Sequence, residues 1–157
     1  KDKGMSHQQD PRADQRYDYT EQVGHLLRKV YQRHAAIFQQ HVGDSQITAV
    51  QFITLCALRD RGPSAQNDLV RYTAVDQATI RGVVERLKAR DLVSLGPDPT
   101  DKRKVIVMLT DAGHRLIDST TDNAMRITEM TYGQLNPAER VALIYLLKKM
   151  LDDTSQP

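Results

Sequence analysis

Gln77, Ala78, Thr79, Arg81 and Gly82 crowd into the stretch VDQATIRGVVERLKAR. Together they have the chemistry needed to read the polar edges of bases. Gln and Thr donate and accept, an Arg fork grips guanine O6 and N7 at once, and Ala and Gly let a backbone come close. Arg86, Lys88 and Arg90 lie further along, where cations meet phosphates rather than bases. A second basic group, Lys102 and Arg103, stands in the run GPDPTDKR. From Arg71 to Lys104 eight Arg or Lys stand against five Asp or Glu, although the whole chain of 157 residues carries only +2. The basic excess therefore sits in this segment.

Side chains of this kind act only if something holds them outward. Asp76 reads as the N-cap of a helix over Gln77 to Arg90, with Ile80, Val83, Val84 and Leu87 turned inward. Ser64 reads as the cap of a shorter helix, Ala65 to Tyr72, burying Leu69 and Val70, with Thr73, Ala74 and Val75 as the turn between the two. Leu69, Val75, Ile80 and Val84 then lock the pair together and leave the N-terminal end of the second helix exposed. This is a helix-turn-helix, with its second helix shaped for a DNA groove. Leu92 to Leu95 and Lys104 to Leu109 read as two strands. The connection from Gly96 to Arg103 is too long for a two-residue turn and projects as a wing. Asp101 and Arg103 can pair within it, and Lys102 or Arg103 is placed to enter a minor groove.

Long amphipathic segments flank this unit. Thr20 is expected to cap a first helix of about six turns, in which Val23, Leu26, Leu27, Val30, Tyr31, His34, Ile37 and Phe38 recur at spacings of three and four. The stripe ends at Gly43 and is wide enough to need two partners. Thr48 and Gln51 form a capping box for a helix over Ala49 to Arg61, stopped by Gly62 and Pro63. Thr110 and Asp111 open a long helix that ends near Tyr132. Asn136 caps the last helix and Pro137 takes its first position. Val141, Leu143, Ile144, Leu146, Leu147, Met150 and Leu151 make that last helix apolar on much of its surface. It is hard to bury in so small a monomer, and pairing with a second copy of itself and of the first helix solves the problem.

The expected fold class is therefore mainly α with a small β-wing. The expected divisions are a flexible polar arm over residues 1–18, a helical dimerisation region over 19–47 and 111–152, a winged helix-turn-helix over 48–110 and a tail over 153–157. Met5 reads as a native start. In the arm, Arg12 and Arg16 are offset by Asp10, Asp14 and Asp18, which argues against an arm that enters a groove.

Three stretches resemble the MarR family of bacterial regulators: ITAVQFITLCAL at Ile47 to Leu58, VDQATIRGVVERLKARDLV at Val75 to Val93, and DPTDKRKVIVMLTDAG at Asp98 to Gly113. The last is similar to the family's wing signature, an acidic and basic loop, a strand and then Leu-Thr-x-x-Gly. The resemblance covers about residues 19–152. It departs at Asp91, where the family often has Gly, but Asp tolerates a left-handed conformation. The resemblance implies a homodimer joined through its terminal helices. It also implies two recognition helices one duplex turn apart, roughly 34–36 Å, on a near-palindromic double-stranded operator. A small aromatic acid bound between the dimer helices and the winged domain is the implied effector. Within the family the sequence is similar to the branch that represses nicotinate degradation, so the effector implied is a hydroxylated pyridine carboxylate such as 6-hydroxynicotinate. For such a molecule His25, Arg28 and Gln32, on successive turns of the first helix, offer a cation and hydrogen-bonding groups beside an apolar wall. Gln51 and Tyr72 are the further polar candidates.

Other chemistries find little support. A content of 39% hydrophobic and 27% charged residues is that of a globular domain. No apolar run approaches the ~18 residues of a membrane span. The single cysteine, Cys56, rules out an internal disulfide and fits a reducing cytoplasm. Its place on an apolar stripe makes it a small hydrophobe rather than a redox sensor. Among His7, His25, His34, His41 and His114 only His34 and His41 share a helix face, two turns apart, which is no chelating pair, so no metal is expected. Met125, Met130 and Met150 read as adaptable core. There is no Gly-rich phosphate loop and no Ser-His-Asp or Cys-His arrangement, so neither an enzyme nor a cofactor is expected. The competing reading is a winged-helix module for protein docking or RNA binding. A docking surface has no need of both a basic helix and a basic wing, and steep salt dependence of duplex binding separates the two readings.

Overall fold

The computed structural model describes residues 16–152. Helix α1 spans Val23–His41, α2 Ala49–Arg61, α3 Gln66–Thr73 and α4 Gln77–Ala89; α5 spans Asp111–Tyr132 and α6 Pro137–Leu151. Strands β1 (Ser64–Ala65), β2 (Val93–Pro97) and β3 (Val105–Leu109) form an antiparallel sheet in the order β1-β3-β2. The result is a winged helix-turn-helix head, α2 to β3, packed on the long helices α1 and α5, with α6 following α5.

Most helix boundaries follow their caps. Thr48 and Gln51 do form a capping box on α2, and Asn136 and Glu139 form another on α6, with Pro137 in the first turn. Asp76 accepts the Thr79 amide and starts α4. Two expectations are corrected. Thr20 does not cap α1: Asp18 caps a single 3-10 turn, Tyr19–Glu21, and α1 begins after Gln22 without a side-chain cap. Ser64 does not cap α3. It is a buried residue of β1 that pairs with Val107, and the amide of Ala65 is instead held by Asp68 Oδ2 at 3.1 Å. The wing strands also differ from the expected ones: β2 runs on to Pro97, opposite Val105, and β3 begins at Val105, so the free loop is residues 98–104 and Lys104 belongs to it.

The core lies between the head and the middle of the long helices. Leu55, Leu58, Leu69, Ile80, Val84, Leu87 and Val107 are buried in the head, and Ile47, Ile117 and Ile127 continue the core into the α1–α2 corner and α5. The join between wing and α5 explains one glycine. Thr110 Oγ1 donates to the Asp91 carbonyl at 2.6 Å and accepts the Gly113 amide at 3.1 Å. A Cβ on Gly113 would stand 2.3 Å from the Leu92 carbonyl oxygen, so only glycine lets the first turn of α5 lie this close to the sheet. Asp91 itself turns the chain in the left-handed region at φ 55°.

The outer helices are different. None of the residues of α6 is buried, and Val141, Tyr145, Leu146, Met150 and Leu151 are 53–81% exposed. Val23, Leu26, Val30 and Tyr31 on α1 are likewise about half exposed. Among the described residues no helix is long and apolar enough to cross a membrane. His7, Asp10, Arg12 and Asp14, with most of the expected arm, and the tail at 153–157 lie outside the described residues.

Candidate nucleic-acid interface

Helix α4 is held at its N-terminal end by its neighbour and by its own cap. Gln77 Nε2 donates to Asn67 Oδ1 of α3 at 2.9 Å. The Thr79 amide and hydroxyl both donate to the Asp76 carboxylate, at 2.9 and 2.7 Å. Those bonds hold the Asp76 carboxyl below the usual carboxylate range. They also decide what Thr79 can do: its hydroxyl proton is spent, so towards a base it is an acceptor. Gln77 keeps its carbonyl oxygen for the same purpose.

Gln77, Ala78, Thr79 and Arg81 are exposed, while Ile80, Val83, Val84 and Leu87 on the opposite face are buried. This is the division that the spacing predicts. Among the described residues Arg81, Arg86 and Lys88 have no ion-pair partner. Arg86 folds back along the helix, its guanidinium 3.4 Å from where a Gly82 Cβ would stand. Gly82 thus makes room for a second cation near the outward end. Arg90 behaves otherwise: it turns inward and pairs with Asp44 in the α1–α2 loop at 2.7 Å. The expectation of a phosphate contact there is not supported by its orientation.

The wing is built by two aspartates. Asp98 accepts the amide and hydroxyl of Thr100, both at 2.8 Å, and Asp101 accepts the Arg103 amide at 3.1 Å. Backbone bonds from Asp98 to Lys104 and from Lys104 to Asp101 close the loop. Arg103 does reach Asp101, at 3.4 Å, yet its side chain is 94% exposed. It is tethered at its base and open at its tip. Lys102 is exposed beside it.

The five candidate effector residues are not brought to one place. His25, Arg28 and Gln32 lie along the outer part of α1, with His25 edge-on to Tyr19 at 5.2 Å. Gln51 is buried, its Oε1 accepting the Thr48 amide in the capping box. Tyr72 lies on α3 under the guanidinium groups of Arg61 and Arg71. The clefts at the seam between α1, α2 and α5 are lined by other residues. One, of about 160 Å³, is walled by His34, Phe38, Phe52, Ile53, Ile127 and Thr128. A neighbour of about 230 Å³ shares Phe52, Ala124 and Thr128 and adds Cys56, Arg59 and Met125.

His34 is the polar group that sequence spacing passed over, because its partner comes from far away in the chain. Its Nδ1 lies 2.9 Å from Thr131 Oγ1, and that hydroxyl donates to the Ile127 carbonyl at 2.8 Å. The hydroxyl proton being used, Nδ1 carries the hydrogen and Nε2 is left as an acceptor. Burial holds the imidazole below its ordinary value and so neutral. Cys56 is half-buried, and burial pushes its thiol up, away from the reactive thiolate. Among the described residues no group of three or more His, Cys, Asp or Glu is placed to hold a metal ion.

An exposed recognition helix, a tethered basic wing and long helices with open apolar faces define a winged helix-turn-helix protein of the DNA-binding regulator class. Comparison with known proteins is more specific. A MarR family model matches residues 45–104. The chain is 65% identical over 136 residues to the HTH-type transcriptional repressor NicR of Pseudomonas putida, covering 87% of this chain and 86% of that one. It superimposes with a TM-score of 0.80 on Bordetella bronchiseptica BpsR, whose DNA binding is regulated by 6-hydroxynicotinic acid, at 58% identity over 87% of this chain and 98% of that one. A cysteine-to-serine variant of Escherichia coli MarR bound to operator DNA matches at a TM-score of 0.76 and 27% identity, over 86% and 99% of the two chains. The chain belongs to the MarR family of transcriptional regulators.

Proposed function

We propose that this chain is a homodimeric repressor that holds a near-palindromic double-stranded operator and lets go of it when a hydroxylated pyridine carboxylate binds. The observation that carries the reading is a combination in one molecule: an exposed α4 end with Arg81 and Arg86 unpaired among the described residues, and apolar faces on α1 and α6 that one copy leaves open. The likeness to NicR and to BpsR supports it and names the effector to try first, 6-hydroxynicotinate. In this reading α4 reads bases through Gln77, Thr79 and Arg81. Arg86, Lys88, Lys102 and Arg103 neutralise phosphates. Residues 19–47 and 111–152 join the two copies. The protein is a binder rather than an enzyme, needs no cofactor and works in the cytoplasm, where its DNA is.

The effector site is the seam between α1, α2 and α5. There the Nε2 acceptor of His34 meets a ring hydroxyl or lactam N–H over the apolar wall of Phe38, Phe52 and Ile127. Arg28, exposed on α1, supplies the counter-ion of the carboxylate from the dimer seam, beside His25 and Gln32. Gln51 and Tyr72 are left out of this site, since Gln51 Oε1 already accepts the Thr48 amide and Tyr72 lies on α3 under Arg61 and Arg71. Release is a population shift: the effector favours a dimer in which the two α4 helices are off the operator spacing, and its leverage equals its differential affinity for the two states.

The test is a titration of duplex DNA from upstream of the protein's own gene, with and without 6-hydroxynicotinate, at two salt concentrations. Tight binding that weakens steeply with salt and is relieved by the acid is expected. Binding that ignores the acid removes the effector and keeps the repressor. No preference over random duplex there, and none after selection from a random pool, removes the repressor too.

A further inference from the structure

Arg90 sits at the C-terminal end of the recognition helix, where a basic residue invites a phosphate. It points the other way. Its Nη2 donates to Asp44 Oδ2 at 2.7 Å, its side chain is 30% exposed, and Nη1 is buried without a hydrogen-bond partner among the described residues. Burial works against the charge on Asp44, but bonds from Arg90 and from the Gln46 amide outweigh it and keep the carboxylate ionised.

Asp44 is not on a loose loop. The corner between α1 and α2 is tied on three sides: Asn123 Nδ2 of α5 donates to the Val42 carbonyl at 3.1 Å, Gln39 Nε2 of α1 donates to the Ser45 carbonyl at 2.8 Å, and the Ile47 amide donates to the Asp44 carbonyl at 3.1 Å. Asn123 is itself held by Arg126 at 2.8 Å. Gly43, at φ 89°, makes the turn, and a Cβ there would meet the Asn123 amide at 3.0 Å. Helix α4 is thus fastened at one end to α3, through Gln77 and Asn67, and at the other to a corner bonded to α1 and α5. With 13 residues it is a lever about 20 Å long, so a small tilt at Arg90 displaces the base-reading end.

We propose that the Arg90–Asp44 pair is a strut that sets the recognition helix against the α1–α2 corner, so that both are positioning residues for operator selectivity and Arg90 makes no DNA contact. The inference rests on the operator-binding reading above.

The two roles open to Arg90 predict opposite signs for its partner. If Arg90 touched phosphate, removing the nearby negative charge in Asp44→Asn would strengthen DNA binding or leave it alone, and Arg90→Met would lower the salt slope by about one unit on any duplex. A strut predicts that Asp44→Asn and Arg90→Met each weaken operator binding on the order of tenfold, and that the double variant is no worse than either single. Binding to random duplex, and its salt slope, stay as in the unaltered protein. That unchanged binding also reports a folded head. Should Arg90→Met fail to melt cooperatively, Arg90→Lys keeps the charge without the fork and is expected to weaken operator binding with the random-duplex slope intact. Operator binding raised or unchanged by Asp44→Asn, or additive losses in the double variant, overturns the strut while leaving the repressor reading in place. An unaltered protein with no operator preference removes both.

Discussion

The head and the helical base of this molecule are made from the same aliphatic residues but bury them in different ways. In the head, Leu55, Leu69, Ile80, Val84 and Val107 are wholly withdrawn from solvent within one chain. In α6, Val141 and Leu151 are 72% and 81% exposed, and the outer part of α1 is little better covered. Burial of apolar surface is worth about 25 cal/mol per Å² wherever it occurs. The head obtains it alone, as do the inner faces of α1 and α5 at Phe38, Ile117 and Ile127, and the outer faces of α1 and α6 obtain it only against something else. In the proposed dimer that something is a second copy. The reading head is then a finished tool, whereas the distance between two heads is a property of the pair. In the proposed reading, that distance is what a small effector at the α1, α2 and α5 seam has the leverage to change.

The largest expected effect tests this contrast directly. Leu55→Ala removes a fully buried side chain from the head and is expected to lower unfolding free energy by about 2–5 kcal/mol, the same at any protein concentration. Leu146→Glu puts a charge on the open face of α6. It is expected to leave the head folded, move the protein towards monomer and weaken binding to a two-half-site operator far more than to a half-site. Melting at two protein concentrations, with sedimentation, reads both. A Leu146→Glu protein that stays dimeric would show that α6 is covered in some other way.

Within the head the contrast narrows to the two faces of α4. Arg81→Ala leaves the buried face of Ile80 and Val84 untouched, so its melting temperature should not move. Operator affinity should fall by about 1–3 kcal/mol, and selectivity should relax at one base position. A uniform loss on every duplex, with a shallower salt slope, would make Arg81 a phosphate contact instead.

What could be read from the chain in advance follows the range of the interactions involved. The helix-turn-helix and wing were legible because their signals are local: Asp76 three residues before Thr79, Thr48 three before Gln51, and an apolar period that leaves Gln77 to Arg81 outward. Strand β1 was missed because two residues carry no period, and Ser64 looks the same as a strand residue or as a cap. Arg90 was read as outward because a basic residue near a helix end has a good local reason to be there. Its partner is 46 positions away. The five candidate effector residues are likewise spread over different elements of one chain. His25, Arg28 and Gln32 share a helix, but Gln51 already had a local partner in Thr48 and Tyr72 belongs to another side of the head. The spacing put His34 on the inward stripe of its helix, but nothing local pointed to its Thr131 partner, 97 positions away.

The smallest expected effect lies at the seam where head and base meet. His34 is neutral there because burial lowers its affinity for a proton, and its Nδ1–H is committed to Thr131. The unfolded chain, with an ordinary value near 6.5, binds that proton more readily than the folded one. Stability from this group is therefore fully present above that value and is lost as pH falls below it towards the depressed folded value. Melting temperature should drop between about pH 7.5 and about pH 5.5, and His34→Gln, which cannot titrate, should drop less. Equal drops would mean that the imidazole is as easily protonated in the fold as out of it, and the seam would then be wet rather than a dry wall for an aromatic ring. A smaller drop in the variant, with 6-hydroxynicotinate protecting the unaltered protein more at the higher pH, fits a neutral His34 whose Nε2 accepts from the bound acid.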